Sequence, residues 1–416
     1  MKVILSINSG SSSVKVSVYS AVKGAAPRQI AECQVSGLTA PPAQLRYSRA
    51  GQTDTDKRTL ANTAMSQNEA FALILQTLID DADLREVRSK ESIAIACHRV
   101  VHGGDFSESK VLTKDTYHYL EKLSDLAPLH NGPALVIVDS CLEQLPGAIN
   151  VACFDSQFHA TMPSHIFTYP IDQEIAKKNQ LRKYGFHGIS YAFIARSVAE
   201  HLGRDLEQLN IIALHLGSGA SVSGLPGATR SGNVDPSSMD FTDNYCARPS
   251  DLVFHYTSNA GKLSPASTGQ LHISRAEEIL NKHAGWKSLT GTTNFGSISD
   301  NLEDDPRCRL AFDLFVDRIC GFLGSYFVSL GGKVDALVFA GGIGENSAKL
   351  RNAVVQQAGC LGFAIDEAAN AAAAATGGDI VRDVGPRDAK PRVLVCQTDE
   401  QFEMARTCTQ METLWN

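Results

Sequence analysis

Near its start the chain reads Val3-Ile4-Leu5-Ser6-Ile7-Asn8-Ser9-Gly10-Ser11-Ser12-Ser13-Val14-Lys15, an apolar strand that runs directly into a turn of small hydroxylic residues. A strand that stops at Asn8 and turns through Gly10 directs several backbone N–H groups into one concavity, where no bulky Cβ hinders an anion. The serines add hydroxyl donors, and Lys15 adds a point charge. The stretch predicts a phosphate-binding turn at the end of the first strand, with an ordinary hairpin rich in Ser and Gly as the alternative.

The chain has 416 residues, of which 43% are hydrophobic and 20% charged, and its formal net charge is −7. A chain of this length is too long to fold around one ordinary hydrophobic core, so we expect two domains of about 150 to 220 residues. Charged residues are spread along the chain without the Lys/Arg clusters that a nucleic-acid or anionic membrane surface needs. Nucleic acid and membranes are therefore not expected as partners.

The chain contains 10 cysteines, which form no C-x-x-C pair and show no Cys/His spacing typical of zinc. Several lie inside apolar runs, as in Val151-Ala152-Cys153-Phe154, and are interpreted as reduced core thiols. No signal-type apolar segment follows a basic start, and no run of about 18 apolar residues occurs. We expect a soluble, cytoplasmic protein.

Apolar runs of strand length alternate with segments of helical periodicity. The runs predict strands at 3–7, 93–97, 149–154, 211–216, 335–340 and 392–396, and the periodicity predicts helices at 68–81, 190–203, 308–330 and 347–358. This alternation is typical of an α/β protein with mixed or parallel sheets.

The organisation is also doubled. The strand at 211–216 runs into Gly217-Ser218-Gly219-Ala220-Ser221, much as the first strand runs into its own turn of Gly and Ser. Two such turns at comparable places predict two related halves that face each other, with a phosphate chain between them.

Two charged residues follow predicted strands. Arg99 lies between a strand and the turn Gly103-Gly104, where its guanidinium can bind a carboxylate or phosphate through two hydrogen bonds, or form a structural salt bridge. Asp155 follows the strand at 149–154, where it holds Mg²⁺ or positions a nucleophile, or else caps the following helix.

Three further motifs are candidates for phosphoryl chemistry. Tyr184-Gly185-Phe186-His187-Gly188 exposes an imidazole between glycines, suited to stabilising negative charge or transferring a proton, with a structural histidine as the alternative. Arg230, at the centre of the loop 225–236, is suited to neutralising a phosphoryl group, or is an ordinary surface arginine. The segment 338–347 reads as a strand, a glycine turn and a helix start, a pattern that favours nucleotide binding.

In this order the blocks resemble the acetate kinase family, within the sugar kinase, actin and heat-shock ATPase superfamily, and the resemblance runs from residue 2 to 405. It implies an α/β fold of two related actin-like (ribonuclease H-like) domains with a nucleotide cleft between them. The N-terminal domain would comprise 1–165 completed by 396–416, and the C-terminal nucleotide-binding domain 166–395. It also implies a homodimer.

The resemblance implies reversible, Mg²⁺-dependent transfer of the γ-phosphoryl group of ATP to acetate, giving acetyl phosphate and ADP by direct in-line transfer. The alternatives are a propionate or butyrate kinase of the same family, and an ATP-switch relative without catalysis. A carboxylate is already a sufficient nucleophile, so no strong base is expected. Closure of the two halves would exclude water from the transfer.

Residue roles follow from the same resemblance. Asn8 and Glu400 would belong to the Mg²⁺ site. Arg99 would bind the substrate carboxylate, with Val101, Leu129 and Phe186 as walls of a small apolar pocket. Asp155 would be the essential acidic residue, and His187 and Arg230 would stabilise the transition state. Nucleotide and phosphate contacts would fall on Ser11, Ser13, Lys15, His215, Leu216, Gly217, Ser218, Gly219, Asn294, Phe295, Gly296, Gly342, Ile343, Gly344, Glu345 and Asn346.

The chain departs from the family pattern in three places. The piece 238–242 follows Asp235-Pro236, whereas the family carries a similar piece before the block that contains Arg230. Asp243 then stands where the family has a proline that lines the acyl pocket, so the acyl-chain preference is left open. Asn294-Phe295-Gly296 stands where many relatives have Asp-Phe-Arg, and Tyr191 stands where a histidine is common.

Overall fold

The computed structural model describes 1–10, 12–39, 41–52, 56–60, 64–123, 128–217, 219–225, 233–235, 284–373 and 378–415, without the side chains of 128–130 and 233–235. These residues form two compact units. The first unit comprises the described part of 1–157 and the chain from Asp399 onward, and the second comprises the described part of 158–398. The domain limits expected from the sequence lie close to these bounds and stay a prediction.

The strands of the described residues are β1 (Lys2–Ser9), β2 (Ser13–Ala21), β3 (Arg28–Ser36), β4 (Gln44–Arg49), β5 (Asp56–Thr59), β6 (Ile93–Val100), β7 (Lys110–Val111), β8 (Ile149–Phe154), β9 (Ile211–Leu216), β10 (Ala220–Leu225), β11 (Asn233–Asp235), β12 (Ala336–Ala340), β13 (Val381–Asp383) and β14 (Arg392–Cys396). The helices are α1 (Gln67–Asp80), α2 (Lys114–Leu123), α3 (Pro128–Gln144), α4 (Ser164–Phe167), α5 (Gln173–Lys178), α6 (Gly188–Leu202), α7 (Trp286–Thr290), α8 (Phe295–Asp300), α9 (Pro306–Ser329), α10 (Gly341–Asn346), α11 (Ala348–Gln357), α12 (Glu367–Ala372) and α13 (Glu400–Gln410).

Each unit is built around one sheet, and the two sheets share a strand order. The orders are β5-β4-β3-β2-β1-β6-β8-β7 and β11-β10-β9-β12-β14-β13. Five antiparallel strands ending with β1 in the first sheet, and three ending with β9 in the second, continue into two strands parallel to the last of them. A short antiparallel strand, β7 or β13, then closes the edge. The repeated order agrees with the doubled organisation predicted from the two Gly/Ser turns, and the facing of the two halves stays a prediction.

The helix limits follow local chemistry. Ser66 and Glu69 form a reciprocal capping box at the start of α1, which satisfies two of its first backbone N–H groups. Helix α6 ends at Gly203, whose φ of 60° favours glycine. Helix α9 begins with Pro306 after the capping residue Asp305, a combination that favours a helix start. The predicted strands and helices agree with the observed ones to within a few residues at each end.

Strand alternation gives the first sheet two different faces. Val3, Leu5 and Ile7 pack in the apolar core with residues of α1 and α3. The alternate residues of β1 lie on the other face, where Ser6 Oγ donates to the Gln401 carbonyl oxygen at 2.8 Å and α13 packs. The carboxyl ends of β1, β6 and β8 therefore lie beside the start of α13.

The opening Gly/Ser turn is a β-hairpin. Asn8 pairs with Lys15 and Ser9 with Val14 across β1 and β2, and Gly10 N–H donates to the Ser13 carbonyl oxygen at 3.0 Å. Lys15 lies on β2, where its ammonium is 3.0 Å from Glu32 Oε2. The hairpin alternative is thus correct as a description of the backbone, and phosphate binding by this turn stays a prediction.

The cysteines of the described residues, which include Cys97 and Cys153, form no disulfide. This agrees with their interpretation as reduced thiols. Within the described parts of the chain, no helix is both long and apolar enough to cross a membrane.

Two separate buried histidines with low pKa values predict that the stability of the fold is sensitive to acid. Burial lowers the pKa of His98 and of His159 from 6.5 to about 4. The unfolded chain gains these protons near pH 6.5 and the native state does not, so stability falls as the pH drops from 7 towards 4. We expect each histidine to contribute a loss of about 2 kcal/mol in unfolding free energy at pH 5, measured by urea denaturation.

A double variant isolates the His98 share of this effect. His98 Nε2 lies 2.8 Å from Asn150 Oδ1, so replacing both residues with leucine removes the titrating group without leaving a lone partner. The stability loss between pH 7.5 and pH 5 should be smaller by about 2 kcal/mol in His98→Leu/Asn150→Leu. An unchanged loss would refute the assignment.

Candidate functional site

The first unit gathers four predicted site residues at one edge of its sheet. Asn8 lies near the end of β1, Arg99 near the end of β6, Asp155 directly after β8, and Glu400 at the start of α13. The carboxyl ends of the parallel strands β1, β6 and β8 meet at this edge, which is where α/β sheets carry their sites.

Arg99 is held by two carboxylates. Its Nε donates to Asp155 Oδ2 at 2.9 Å, Nη2 lies 2.8 Å from the same oxygen, and Nη1 lies 3.0 Å from Glu400 Oε2. Asp155 is completely buried and the Arg99 side chain is 17% exposed. Burial lowers the pKa of Arg99, but the charges of Asp155 and Glu400 more than offset this and leave it above its usual range. The guanidinium is therefore permanently charged and fixed in orientation.

Glu400 has one oxygen that no group among the described residues satisfies. Asn8 Nδ2 donates to its Oε2 at 3.1 Å, and its buried Oε1 has no hydrogen-bond partner in the part of the chain that the structure describes. Burial raises the pKa of Glu400; Arg99 opposes this shift and Asp155 adds to it. Since Asn8 uses its nitrogen on Glu400, its Oδ1 is the atom left to act as a ligand. These oxygens fit a hard cation such as Mg²⁺, which takes one or two carboxylates and keeps water and phosphate as its other ligands.

In the described residues no group of three or more His, Cys, Asp or Glu side chains is placed to hold a metal ion.

The turn after β6 is fixed by hydrogen bonds within the first unit. Asn131 Oδ1 accepts from His102 N–H at 3.0 Å, and Asn131 Nδ2 donates to the His102 carbonyl oxygen at 2.9 Å. Gly103 N–H donates to Ser156 Oγ at 2.9 Å, and a Cβ on Gly103 would lie 2.4 Å from the Phe154 ring. These contacts hold Val101, half-buried, next to the Arg99 cluster.

The second unit brings together two predicted histidines. His187 precedes α6 with a φ of 53°, and its ring stacks on that of His215 with centroids 4.2 Å apart. His187 Nδ1 is 2.7 Å from Ser221 Oγ, and His215 Nδ1 is 2.8 Å from Ser190 Oγ. A Cβ on Gly219 would lie 3.3 Å from His187 Nε2, so the backbone at Gly219 passes close to this ring.

The glycine turn after β12 adjoins the same strand. Gly341 has a φ of 75°, and a Cβ there would lie 2.7 Å from the Leu216 carbonyl oxygen. A Cβ on Gly217 would approach the Gly342 nitrogen at 3.9 Å, so the two predicted nucleotide segments are neighbours. The two glycines of this turn are themselves the first residues of the six-residue helix α10.

Glu345 and Arg351 stabilise this turn through hydrogen bonds to its backbone. Glu345 Oε1 accepts from Gly341 N–H at 2.9 Å and from Thr398 N–H at 3.1 Å, and burial raises the pKa of its carboxyl. Fully buried Arg351 donates to the carbonyl oxygens of Gly344 and Glu345, both at 2.8 Å. Glu345 therefore has a structural role, which sequence reasoning described only as a nucleotide contact.

The Asn294-Phe295-Gly296 segment starts α8. Asn294 Oδ1 caps the helix by accepting from Ser297 N–H at 3.0 Å. The Phe295 ring is buried against Trp286 and Phe315, with centroids 5.4 and 5.6 Å apart. Its side chain belongs to the core, so a nucleotide contact here would involve the backbone or the neighbouring residues.

Several predicted positions lie outside the described residues. These are Ser11, Ser218, Arg230, the segment 238–251 and the side chain of Leu129. Phe186 is buried in the second unit, where its carbonyl oxygen accepts from His159 Nε2 at 3.0 Å. The acyl pocket formed by Val101, Leu129 and Phe186 stays a prediction.

Four hydroxyl groups around the histidines were missed by sequence reasoning. Tyr191 OH is 2.6 Å from Ser221 Oγ, and Thr398 Oγ1 is 2.7 Å from Ser190 Oγ. Helical spacing was the available signal for two of them, because Ser190 and Tyr191 lie one turn after His187. The contacts with Ser221 and Thr398 depend on chain pairing that local sequence does not reveal.

Comparison with known proteins identifies the family. A model described as the acetokinase family matches residues 3–406 of this chain. The chain belongs to the acetokinase family. It is 54% identical to a probable acetate kinase of Chaetomium globosum, covering 99% of each chain, and 34% identical to an acetate kinase of Alkaliphilus metalliredigens, covering 97% of this chain and 98% of the other.

Solved acetokinase-type structures share the fold. A propionate kinase of Francisella tularensis matches with a TM-score of 0.80 at 28% identity, covering 98% of this chain and 99% of the other. An acetate kinase of Porphyromonas gingivalis matches with a TM-score of 0.77 at 28% identity, covering 97% and 98%. These matches confirm the predicted α/β fold class and the resemblance on which the expected activity rests.

Proposed function

We propose that this chain is an acetate kinase, which transfers the γ-phosphoryl group of ATP reversibly to acetate and forms acetyl phosphate and ADP. The observation that carries the proposal is the Arg99 cluster in a member of the acetokinase family. A permanently charged guanidinium, fixed by two carboxylates at the carboxyl edge of the sheet, suits the binding of a small carboxylate.

Two N–H groups of the Arg99 guanidinium can donate hydrogen bonds to that substrate. Its contacts with Asp155 and Glu400 use three of the five N–H groups of the guanidinium, and the other two are on Nη1 and Nη2. Acetate bound there presents an oxygen that attacks the γ-phosphorus in line. Because the acceptor is already a carboxylate, Asp155 is assigned to orienting Arg99 and the metal site rather than to removing a proton.

Asn8 and Glu400 are proposed to hold Mg²⁺ through Asn8 Oδ1 and the unsatisfied Glu400 Oε1. When bound, the ion supplies charge neutralisation for the phosphate oxygens. His187 and Arg230 are proposed to donate hydrogen bonds to the phosphoryl group in transit. The phosphates and base of ATP are assigned to Ser11, Ser13, Lys15 and the segments 215–219, 294–296 and 342–346. Closure of the predicted domains around both substrates would exclude water.

A propionate or butyrate kinase is the second candidate. A solved relative with a TM-score of 0.80 is a propionate kinase, and Asp243 replaces the proline expected beside the acyl group. One methylene in an apolar pocket changes kcat/KM by about 10- to 200-fold. The kcat/KM values for acetate, propionate and butyrate should therefore differ clearly.

The test is acyl phosphate formation trapped with hydroxylamine, with acetate, propionate and butyrate as acceptors and ATP and GTP as donors. We expect the highest kcat/KM with acetate and ATP, and no product without Mg²⁺. A higher kcat/KM with propionate or butyrate would favour the second candidate. Absence of product with every acid would contradict both and favour an ATP-switch relative.

A cytoplasmic homodimer is proposed as the working form. Leu310, Leu314 and Val328 of α9 are large apolar side chains that are 51%, 40% and 77% exposed. We assign these exposed side chains to the contact with a second copy. Light scattering should give about twice the mass of the chain, and Leu314→Glu/Val328→Glu should give a monomer; an unchanged dimer would place the contact elsewhere.

A further inference from the structure

A cavity of about 450 Å³ lies at the amino-terminal edge of the second unit's sheet. Its lining includes the residue that precedes each of three parallel strands, namely Asn210 before β9, Asp335 before β12 and Pro391 before β14. Parallel strands begin at one edge of a sheet and end at the other, so the cavity is separate from His215 and Gly341 at the carboxyl ends of β9 and β12. Its volume lies within the range of small-molecule sites.

Asp335 fixes one wall of the cavity through its backbone and its side chain. Its N–H donates to the Asn210 carbonyl oxygen and its Oδ2 accepts from Asn210 N–H, both at 2.7 Å. Its Oδ1 accepts from Arg204 Nη1 at 2.6 Å, and Arg204 Nη2 donates to the Gln208 carbonyl oxygen at 2.8 Å. Both carboxylate oxygens are therefore engaged, and the charge of Arg204 is balanced within the wall.

Two further cations line the cavity without a counter-charge. Lys333 and Lys390 are exposed, and within the described part of the chain their ammonium groups form no ion pair or hydrogen bond. With Arg204 they make three cations against the single carboxylate of Asp335, so the lining carries a net charge of +2 in a chain whose formal net charge is −7. Positive charges that line one cavity repel each other, and bound negative charge removes this repulsion.

The cavity also has an apolar part. Phe327, Val334, Leu361 and Pro391 contribute to its lining, and the Phe327 ring packs edge-on against that of Phe363 with centroids 6.1 Å apart. A carbon chain gains free energy by covering such surface, whereas an inorganic ion does not. The lining therefore suits a molecule with two negative charges and a short carbon body.

We propose that this cavity binds a small organic dianion, whose charged groups contact Lys333 and Lys390 and whose carbon body packs against Phe327 and Leu361. A phosphate monoester and a dicarboxylate share this chemistry, because each carries about two negative charges at pH 7.5. The site lies apart from the segments proposed to bind ATP, and its binding does not depend on the proposed phosphoryl transfer.

Isothermal titration calorimetry of the whole chain with glycerol 3-phosphate and with succinate tests the proposal. Each titration is run with and without saturating MgADP and acetate, which fill the site of the proposed transfer. We expect a Kd of about 1 mM or below for at least one of the two dianions under both conditions, and no binding of the neutral molecule glycerol. The dianion with the lower Kd identifies the ligand as a phosphate ester or a dicarboxylate.

Variants locate the binding. Lys333→Gln/Lys390→Gln should raise the Kd at least about tenfold, because two charge-assisted hydrogen bonds are lost. Leu361→Trp keeps both lysines but fills part of the cavity, and should raise the Kd by a similar factor. Lys57→Gln/Lys114→Gln is the matched control, because it removes two exposed lysines of the first unit; its Kd should stay within about twofold. Thermal denaturation shows that each variant is folded.

Absence of binding by both dianions would overturn the proposal. So would equal Kd values for the two lysine double variants, or loss of binding when MgADP and acetate are present, which would place the dianion in the site of the proposed transfer. If Leu361→Trp does not fold, the two lysine double variants still decide the outcome. If the protein binds a dianion as expected but makes no acyl phosphate, the proposed function fails and the dianion site stands.

Discussion

Replacing Arg99 with alanine is expected to lower kcat/KM for acetate by about a thousandfold and to destabilise the first unit by about 3 to 5 kcal/mol. The first effect follows from losing the cation that binds the carboxylate. The second follows because Asp155, completely buried, and Glu400, which is 13% exposed, would remain as uncompensated charges. Steady-state kinetics and urea denaturation measure the two effects separately.

The stability loss should depend on pH. Without the guanidinium, the pKa of Glu400 rises further in the folded state, because Arg99 no longer opposes the effect of burial, so the variant takes up a proton on folding. Its deficit relative to the unaltered protein should therefore shrink as the pH falls from 7.5 to 5. Arg28→Ala is the matched control, because this arginine is 67% exposed and its ion pair with Glu86 should contribute less than about 1 kcal/mol. A pH-independent deficit, or equal effects of the two variants, would contradict the assignment.

Replacing Gly341 with alanine should destabilise the second unit by at least about 3 kcal/mol and remove activity. A Cβ would lie 2.7 Å from the Leu216 carbonyl oxygen and 2.9 Å from the Leu216 nitrogen, and neither backbone atom can rotate away. The φ of 75° adds the cost of left-handed backbone for alanine. Thermal denaturation should show a melting temperature lower by about 10 °C.

The neighbouring glycine provides the control for this prediction. A Cβ on Gly342 would meet no atom within 4 Å, and its φ is not in the left-handed region. Gly342→Ala should therefore keep the melting temperature within about 2 °C of the unaltered protein. Similar melting temperatures of the Gly341 and Gly342 variants would show that the turn relaxes to accommodate a Cβ. This result would contradict the tight packing of Gly341 against Leu216.

Much of the fold could be predicted from sequence because its signals are local. Apolar runs at 93–97 and 149–154 directly precede the segments with Arg99 and Asp155, and α9 shows clear helical periodicity after its Asp305-Pro306 start. The duplicated sheet order was indicated by two Gly/Ser turns that follow strands at comparable places. Each of these features depends on residues close together in the chain.

The chemistry of the site was less predictable because it depends on pairing between distant residues. Arg99 and Asp155 were each recognised at a strand end, but their ion pair follows from the parallel pairing of β6 and β8. Lys15 was predicted in a phosphate turn, and strand pairing places its ammonium 3.0 Å from Glu32. Phe295 was predicted as a nucleotide residue, and packing places its ring in the core.

The most direct test of the central claim is a ³¹P NMR time course of the unaltered protein with ATP, Mg²⁺ and acetate. This spectrum resolves acetyl phosphate, ADP and inorganic phosphate in one sample. The account predicts acetyl phosphate and ADP in equal amounts, formed only when acetate is present. Production of ADP and inorganic phosphate without acetyl phosphate would contradict it and would identify an ATPase instead of a carboxylate kinase.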